Sequence, residues 1–442
     1  MNIFNNTYLR KLILPLIIEQ TLSVTIGMAD IIMVSVAGEA AMSGVSLVDI
    51  ISMLLINLFA AMATGGAVVV AHYLGGKNNK KASEAAGQLI FVSLIISIFV
   101  MLLMSLFNKE ILGILYGKVE TEVMDSAEIY LKISAFSYPF VALYSSGAAL
   151  FRAMGNSKIS MFTALLMNLV HLGFNSLFLY VVRMGAEGVA ISTVISRAAA
   201  CIMILVLLKN TNNVIFIESF LRIKPNFNMI KKIMGIGIPT GIESSFFHLG
   251  RIMLTSLIAT FGIVHTTANG VANTIDYFGC IPSQAIGFAM ITVVGQCVGA
   301  GDYKQAELYA KKLLKLAYII SGILHVIIII GLPFMLKIYN LSDDTYILTM
   351  ALVLIHEIFA IVLWPASFTL SQSLRAAGDV GYTMRVSVIS MLFMRIGLGI
   401  LFGGFLGMGA IGVWIGMVAD WILRGGLFMF RFVKGKWKEV RI

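Results

Sequence analysis

The sequence predicts an all-α membrane protein of twelve transmembrane helices, arranged as two six-helix lobes that repeat one pattern in parallel. Three observations carry this. The 442 residues are 59% hydrophobic and only 12% charged, with mean hydropathy +0.93, where an ordinary soluble domain is about 25% charged. The apolar residues fall in long blocks rather than short alternating runs. The chain also matches itself at a constant offset.

The blocks lie at 11–36, 46–73, 85–107, 127–150, 159–182, 187–208, 230–259, 267–297, 313–336, 346–371, 383–404 and 409–430. Each is long enough for the roughly 20 apolar residues that cross a bilayer as a helix. Barrel strands would be about 10 residues long and alternating. The first block follows Arg10 and Lys11, is too long for a signal-peptide core and carries Glu19 and Asp30, so it reads as an uncleaved first span. Cys201, Cys280 and Cys297 all fall within spans and cannot form an extracytoplasmic disulfide framework.

Net charge is +10. In a soluble chain that balance would point to nucleic acid; here the basic residues sort by side. One side collects the amino terminus, the loop with Lys77, Lys80 and Lys81, Arg152 with Lys158, the run from Lys209 to Lys232, Lys304 to Lys315, Arg375 with Arg385, and the basic tail. The other side holds Lys109, Lys118, Arg183 and Lys337. By the positive-inside rule both termini are cytoplasmic, in a multi-pass protein of the cytoplasmic (inner) membrane. The tail needs no partner beyond anionic lipid.

The repeat offset is near 224. Pro15 to Glu19 answers Pro239 to Glu243, and HYLGGKNNKKASEAA at 72–86 answers QCVGAGDYKQAELYA at 296–310. RAMGN at 152–156 answers RAAGD at 375–379, and MGAEGV at 184–189 answers MGAIGV at 408–413. This divides the chain into an N-terminal lobe (1–208), a basic cytoplasmic linker (209–232) and a C-terminal lobe (233–442). Six spans return the chain to its starting side, so the lobes are parallel repeats, an architecture suited to alternating access. Architecture alone names no substrate.

At these residues the chain resembles the multidrug and toxic compound extrusion (MATE) family over essentially its whole length. The resemblance rests on Pro15 with Asp30, GGAVVVAHYLGG at 65–76, RAMGNSK at 152–158, GAEGVAIST at 185–193, TANGV at 267–271, VGQCVGAGD at 294–302 and SLRAAGD at 373–379. It implies a V of two lobes, a working monomer, and antiport of protons or sodium against cationic, amphipathic compounds. The wider superfamily also contains lipid-linked-sugar flippases, the alternative function.

Intramembrane polar groups are the candidate site residues, because a charge at mid-bilayer costs about 2.5–3.5 kcal/mol on insertion scales. Glu19 and Asp30, eleven residues apart, share one face of the first span within about 20°. Asn168, His171 and Asn175 are spaced i, i+3, i+7 on one face of the fifth. The resemblance implies that Asp30, His171, Asn175 and Thr193 form the cation or proton pocket of the N-terminal lobe. His171 and Asn175 stand where related transporters carry Asn and Asp, which favours a proton over a firmly held sodium ion at Asp30. Glu19, Glu243, Asn168, Asn269, Asn273, Asp276, His356 and Glu357 are candidate cavity residues. The acids of the sodium-coupled branch in spans 7 and 10 are replaced near Phe247, His248 and Trp364. Asp420 and Arg424, i and i+4, are expected to neutralise each other. No nucleophile stands beside a base, and neither HExxH nor a Walker A sequence occurs, so no enzymatic activity and no cofactor beyond the coupling ion is expected.

Overall fold

The computed structural model describes residues 4–117 and 119–440, apart from the side chains of residues 26–32, 35 and 221. The side chain of Asp30, Lys118 and Arg441 therefore lie outside the described residues.

The first half comprises α1 (Asn6–Val34), α2 (Glu39–Gly75), α3 (Asn79–Leu106), α4 (Asn108–Tyr116), α5 (Thr121–Ser134), α6 (Tyr138–Ala153), α7 (Ser157–Ser176) and α8 (Ala186–Leu208). The second comprises α9 (Phe227–Ala259), α10 (Ile263–Gly299), α11 (Tyr303–Ile338), α12 (Asp343–Trp364), α13 (Leu370–Ala376), α14 (Val380–Ser390) and α15 (Gly409–Val433). A single 3₁₀ turn, Ala135–Ser137, joins α5 to α6 in one span. The π-helical turn Pro365–Thr369 joins α12 to α13, because Pro365 has no N–H for the regular ladder. Two further π-helical runs, Met391–Gly397 and Ile400–Phe405, extend α14. The twelve expected spans are thus present in order. The short α4 is an addition that block length could not reveal. Phe99, Ile114, Phe334 and Phe393 protrude from the surface, as suits a chain solvated by lipid.

The repeat is visible in helix ends. Gly38 and Gly262 have φ of 100° and 103°, a conformation open to glycine, and each launches a 37-residue helix. Asn78 and Asp302 each cap the next helix by accepting a backbone N–H three residues on, from Lys81 and Gln305.

Contacts divide the chain into two compact units: Arg10–Gly241, and Ile242–Ile442 together with Met1–Leu9. In the first, Val48, Phe59, Leu131, Tyr138 and Ala190 anchor the core, and the segment after α8 is tied down where Gln88 Nε2 donates to the Lys224 carbonyl at 2.8 Å. In the second, Ile275, Leu332, Leu352, Trp414 and Trp421 anchor the core. There the Phe4 N–H donates to Tyr309 Oη at 2.7 Å, Tyr309 donates back to the Phe4 carbonyl at 2.6 Å, and Lys312 donates to Asn6 at 2.6 Å. α10 runs through the middle of this unit, with 83% of its most apolar stretch buried.

Candidate transport site

In the first unit α7 carries Asn168, His171 and Asn175, and the last two meet α8. Ser192 donates to the Asn175 Oδ1, and Thr193 Oγ1 lies 3.3 Å from His171 Nε2. Thr193 also donates to the Val189 carbonyl at 2.9 Å. Asn168 is buried and its Nδ2 has no hydrogen-bond partner. One turn along α8, Arg197 donates to Ser137 at 2.7 Å. Tyr130 donates to Asp49 Oδ1 at 3.3 Å. Asp49 is an exposed acid of α2 that the sequence reading passed over, although any acid within an apolar block meets the same cost argument.

Glu19 and Glu243 occupy repeat-related positions and meet repeat-related cations. Arg152 Nη1 donates to Glu19 Oε1 at 3.0 Å and Ser160 donates to Oε2 at 2.7 Å. Arg375 lies 2.7 Å from Glu243, which also accepts from Ser387. Both carboxylates are buried.

Two further polar clusters lie in the second unit. In one, Asp420 accepts from Arg424 at 3.2 Å and from Ser390 at 2.5 Å, with Arg395 3.7 Å away. The guanidinium groups of Arg395 and Arg424 lie over the Phe247 ring, 5.2 and 5.8 Å from its centre. The two cations thus share one aromatic face. Arg251, which has no sequence-evident partner, donates to Asn273 Oδ1 at 3.3 Å, and Trp414 donates to Asn269 Oδ1 at 3.0 Å. Arg251, Arg395, Asn269 and Asn273 line one small cleft together with Leu254, Ile258, Val413 and Met417.

The other cluster brings together Asp276 of α10, His356 and Glu357 of α12, and His325 of α11. His325 Nδ1 lies 2.5 Å from Glu357 Oε2; His356 Nδ1 lies 3.6 Å from Asp276 and 3.4 Å from Glu357. All four are buried. Sequence reading found three of them and missed His325, whose only signal is a lone imidazole in an otherwise apolar run.

Two repeated helical lobes that cross a membrane and seal ionisable side chains inside it define a membrane transporter of the duplicated type. The MatE family model matches twice, over residues 15–177 and 239–401. The chain belongs to that family, and the paired match is the internal repeat itself. It is 29% identical to the uncharacterized transporter YisQ of Bacillus subtilis, covering 96% of this chain and 93% of that protein. It is 25% identical to the probable multidrug resistance protein NorM of Thermotoga maritima, over 97% and 92%. An outward-facing MATE family transporter of the MOP superfamily superposes with TM-score 0.90 at 20% identity, covering 98% of this chain and 96% of that one.

Proposed function

We propose that the protein is a secondary active antiporter of the cytoplasmic membrane, with both termini cytoplasmic. It expels cationic, amphipathic drugs or toxic metabolites in exchange for protons by alternating access, as a monomer. The names of its multidrug-resistance relatives support the substrate class. The α7–α8 seam supports the coupling ion: its pairs, Ser192 with Asn175 and His171 with Thr193, join hydroxyl, amide and imidazole groups. Such a set offers a sodium ion no carboxylate of its own, so Asp30 on α1 is the proton-binding acid. Holding Asp30 charged within a membrane span is costly, so gaining a proton shifts the balance between conformations, and losing it on the cytoplasmic side restores affinity for a cation. Glu19, Glu243 and the polar residues of α10 and α12 serve the cavity and its walls.

Transport in proteoliposomes under separate proton and sodium gradients tests this. Asp30→Asn is expected to abolish proton-driven efflux of an organic cation, and a sodium gradient alone is expected to drive none. Full proton-driven efflux by Asp30→Asn overturns the assignment. A second reading, flipping of a lipid-linked sugar, draws support from the cleft that Arg251 and Arg395 share, since two guanidinium groups suit a pyrophosphate. Translocation of such a lipid by the same proteoliposomes, without cation efflux, decides for it.

A further inference from the structure

Asp276 and Glu357 are two carboxylates buried side by side, and among the described residues no Lys or Arg pairs with either. The nearby guanidinium groups lie against other groups, Arg251 donating to Asn273 and Arg395 standing 3.7 Å from Asp420. Of their four oxygens, Glu357 Oε2 is hydrogen-bonded, to His325. Asp276 Oδ1 and Oδ2, Glu357 Oε1 and His356 Nδ1 are all buried and all lack a hydrogen-bond partner. Unsatisfied donors and acceptors in such number call for an explanation in a native interior. One donor atom from each of Asp276, His356 and Glu357 lies within 4.8 Å of the other two.

Around His356 the spacing favours a metal over a hydrogen bond. A proton bridging two heavy atoms holds them at about 2.5–3.2 Å. The separations of 3.4 and 3.6 Å around His356 are longer than that and lack hydrogen-bond geometry. They match the edge of a tetrahedron around an ion bound at about 2.1 Å, which is about 3.4 Å. We infer that Asp276, His356 and Glu357 form a binding site for one divalent first-row transition ion within the C-terminal lobe. One imidazole and two carboxylates suit zinc, manganese or iron more than a soft monovalent ion.

The surroundings are those of a built site. His325 holds the second oxygen of Glu357 and so fixes the direction of the first, as supporting partners of metal carboxylates do. The His356 ring is packed edge-on against Trp421 and Trp414, with centroids 5.1 and 6.1 Å away, and beside Trp364 at 6.0 Å. These indoles fix the ring and exclude water. Gly279, one turn after Asp276, leaves the room that His325 and Glu357 occupy: a Cβ there would stand 2.5 Å from His325 Nδ1. The ion would join α10 to α12 and supply the positive charge that the two acids lack.

The experiment uses the full-length protein in detergent, stripped with a chelator and titrated with Zn²⁺ by calorimetry and with Co²⁺ by visible absorption. One Zn²⁺ per chain is expected, together with a rise in melting temperature and a Co²⁺ d–d band. Glu357→Gln and Asp276→Asn, which keep shape and hydrogen-bonding capacity, are expected to bind at least tenfold more weakly and to lose the band. Melting curves without metal establish that the variants are folded; His356→Gln is the replacement for either that is not. Absence of Zn²⁺ binding by the wild type, or equal binding by the folded variants, overturns the inference and leaves a carboxylate pair sharing a proton.

Discussion

At the scale of single residues, the buried ion pairs are where sequence and structure differ most in what they say. Glu19 could be recognised as an acid in a span, but its partner Arg152 lies 133 positions away. No local spacing joins them; the duplication of both in Glu243 and Arg375 was the available clue. Removing the cation leaves a buried, uncompensated carboxylate. Arg152→Ala is therefore expected to destabilise the first unit by about 3–5 kcal/mol, seen as a lowered melting temperature in detergent, and Glu19→Gln in the same chain to recover most of the loss. The contrasting case is Asp420 with Arg424, whose i, i+4 spacing announced their contact and whose side chains do meet. Asp276, His356 and Glu357 were legible as polar groups in apolar spans. Their convergence was not, because it depends on how α10 and α12 pack.

At the scale of helices, block length and turn chemistry sufficed for the spans, and missed what departs from regular geometry. The π-helical turns leave composition unchanged, and α4 is too short to register as a block. Helix ends were better marked: Asn78 and Asp302 precede their helices as capping residues, and Asn78→Ala is expected to cost about 1 kcal/mol in thermal unfolding. Along α10 two glycines separate packing from propensity. At Gly279 an added methyl would meet His325 and Glu357, so Gly279→Ala is expected to lower stability by about 1–3 kcal/mol. At Gly270 nothing lies within 4 Å, so Gly270→Ala is expected to leave melting unchanged or raise it slightly. Equal losses at both positions would refute the packing argument.

At the scale of the molecule, the repeat was the most informative feature of the sequence, since residues that share an offset share helix ends and buried ion pairs. The distribution of basic residues adds a test of orientation. A membrane-impermeant maleimide is expected to label Glu110→Cys in intact cells and Lys80→Cys after permeabilisation; both positions are exposed, and the native cysteines are buried. The reverse pattern would invert the topology. The hydrogen bonds of Phe4 and Asn6 bear on attempts to obtain the halves separately. Severing the chain between α8 and α9 would give an amino-terminal fragment still carrying those two residues, while their partners Tyr309 and Lys312 would reside on the other piece. Co-expressed fragments would thus keep a short matching handle, and a carboxy-terminal fragment made alone would lack the segment that hydrogen-bonds Tyr309 and Lys312 in the first turns of α11.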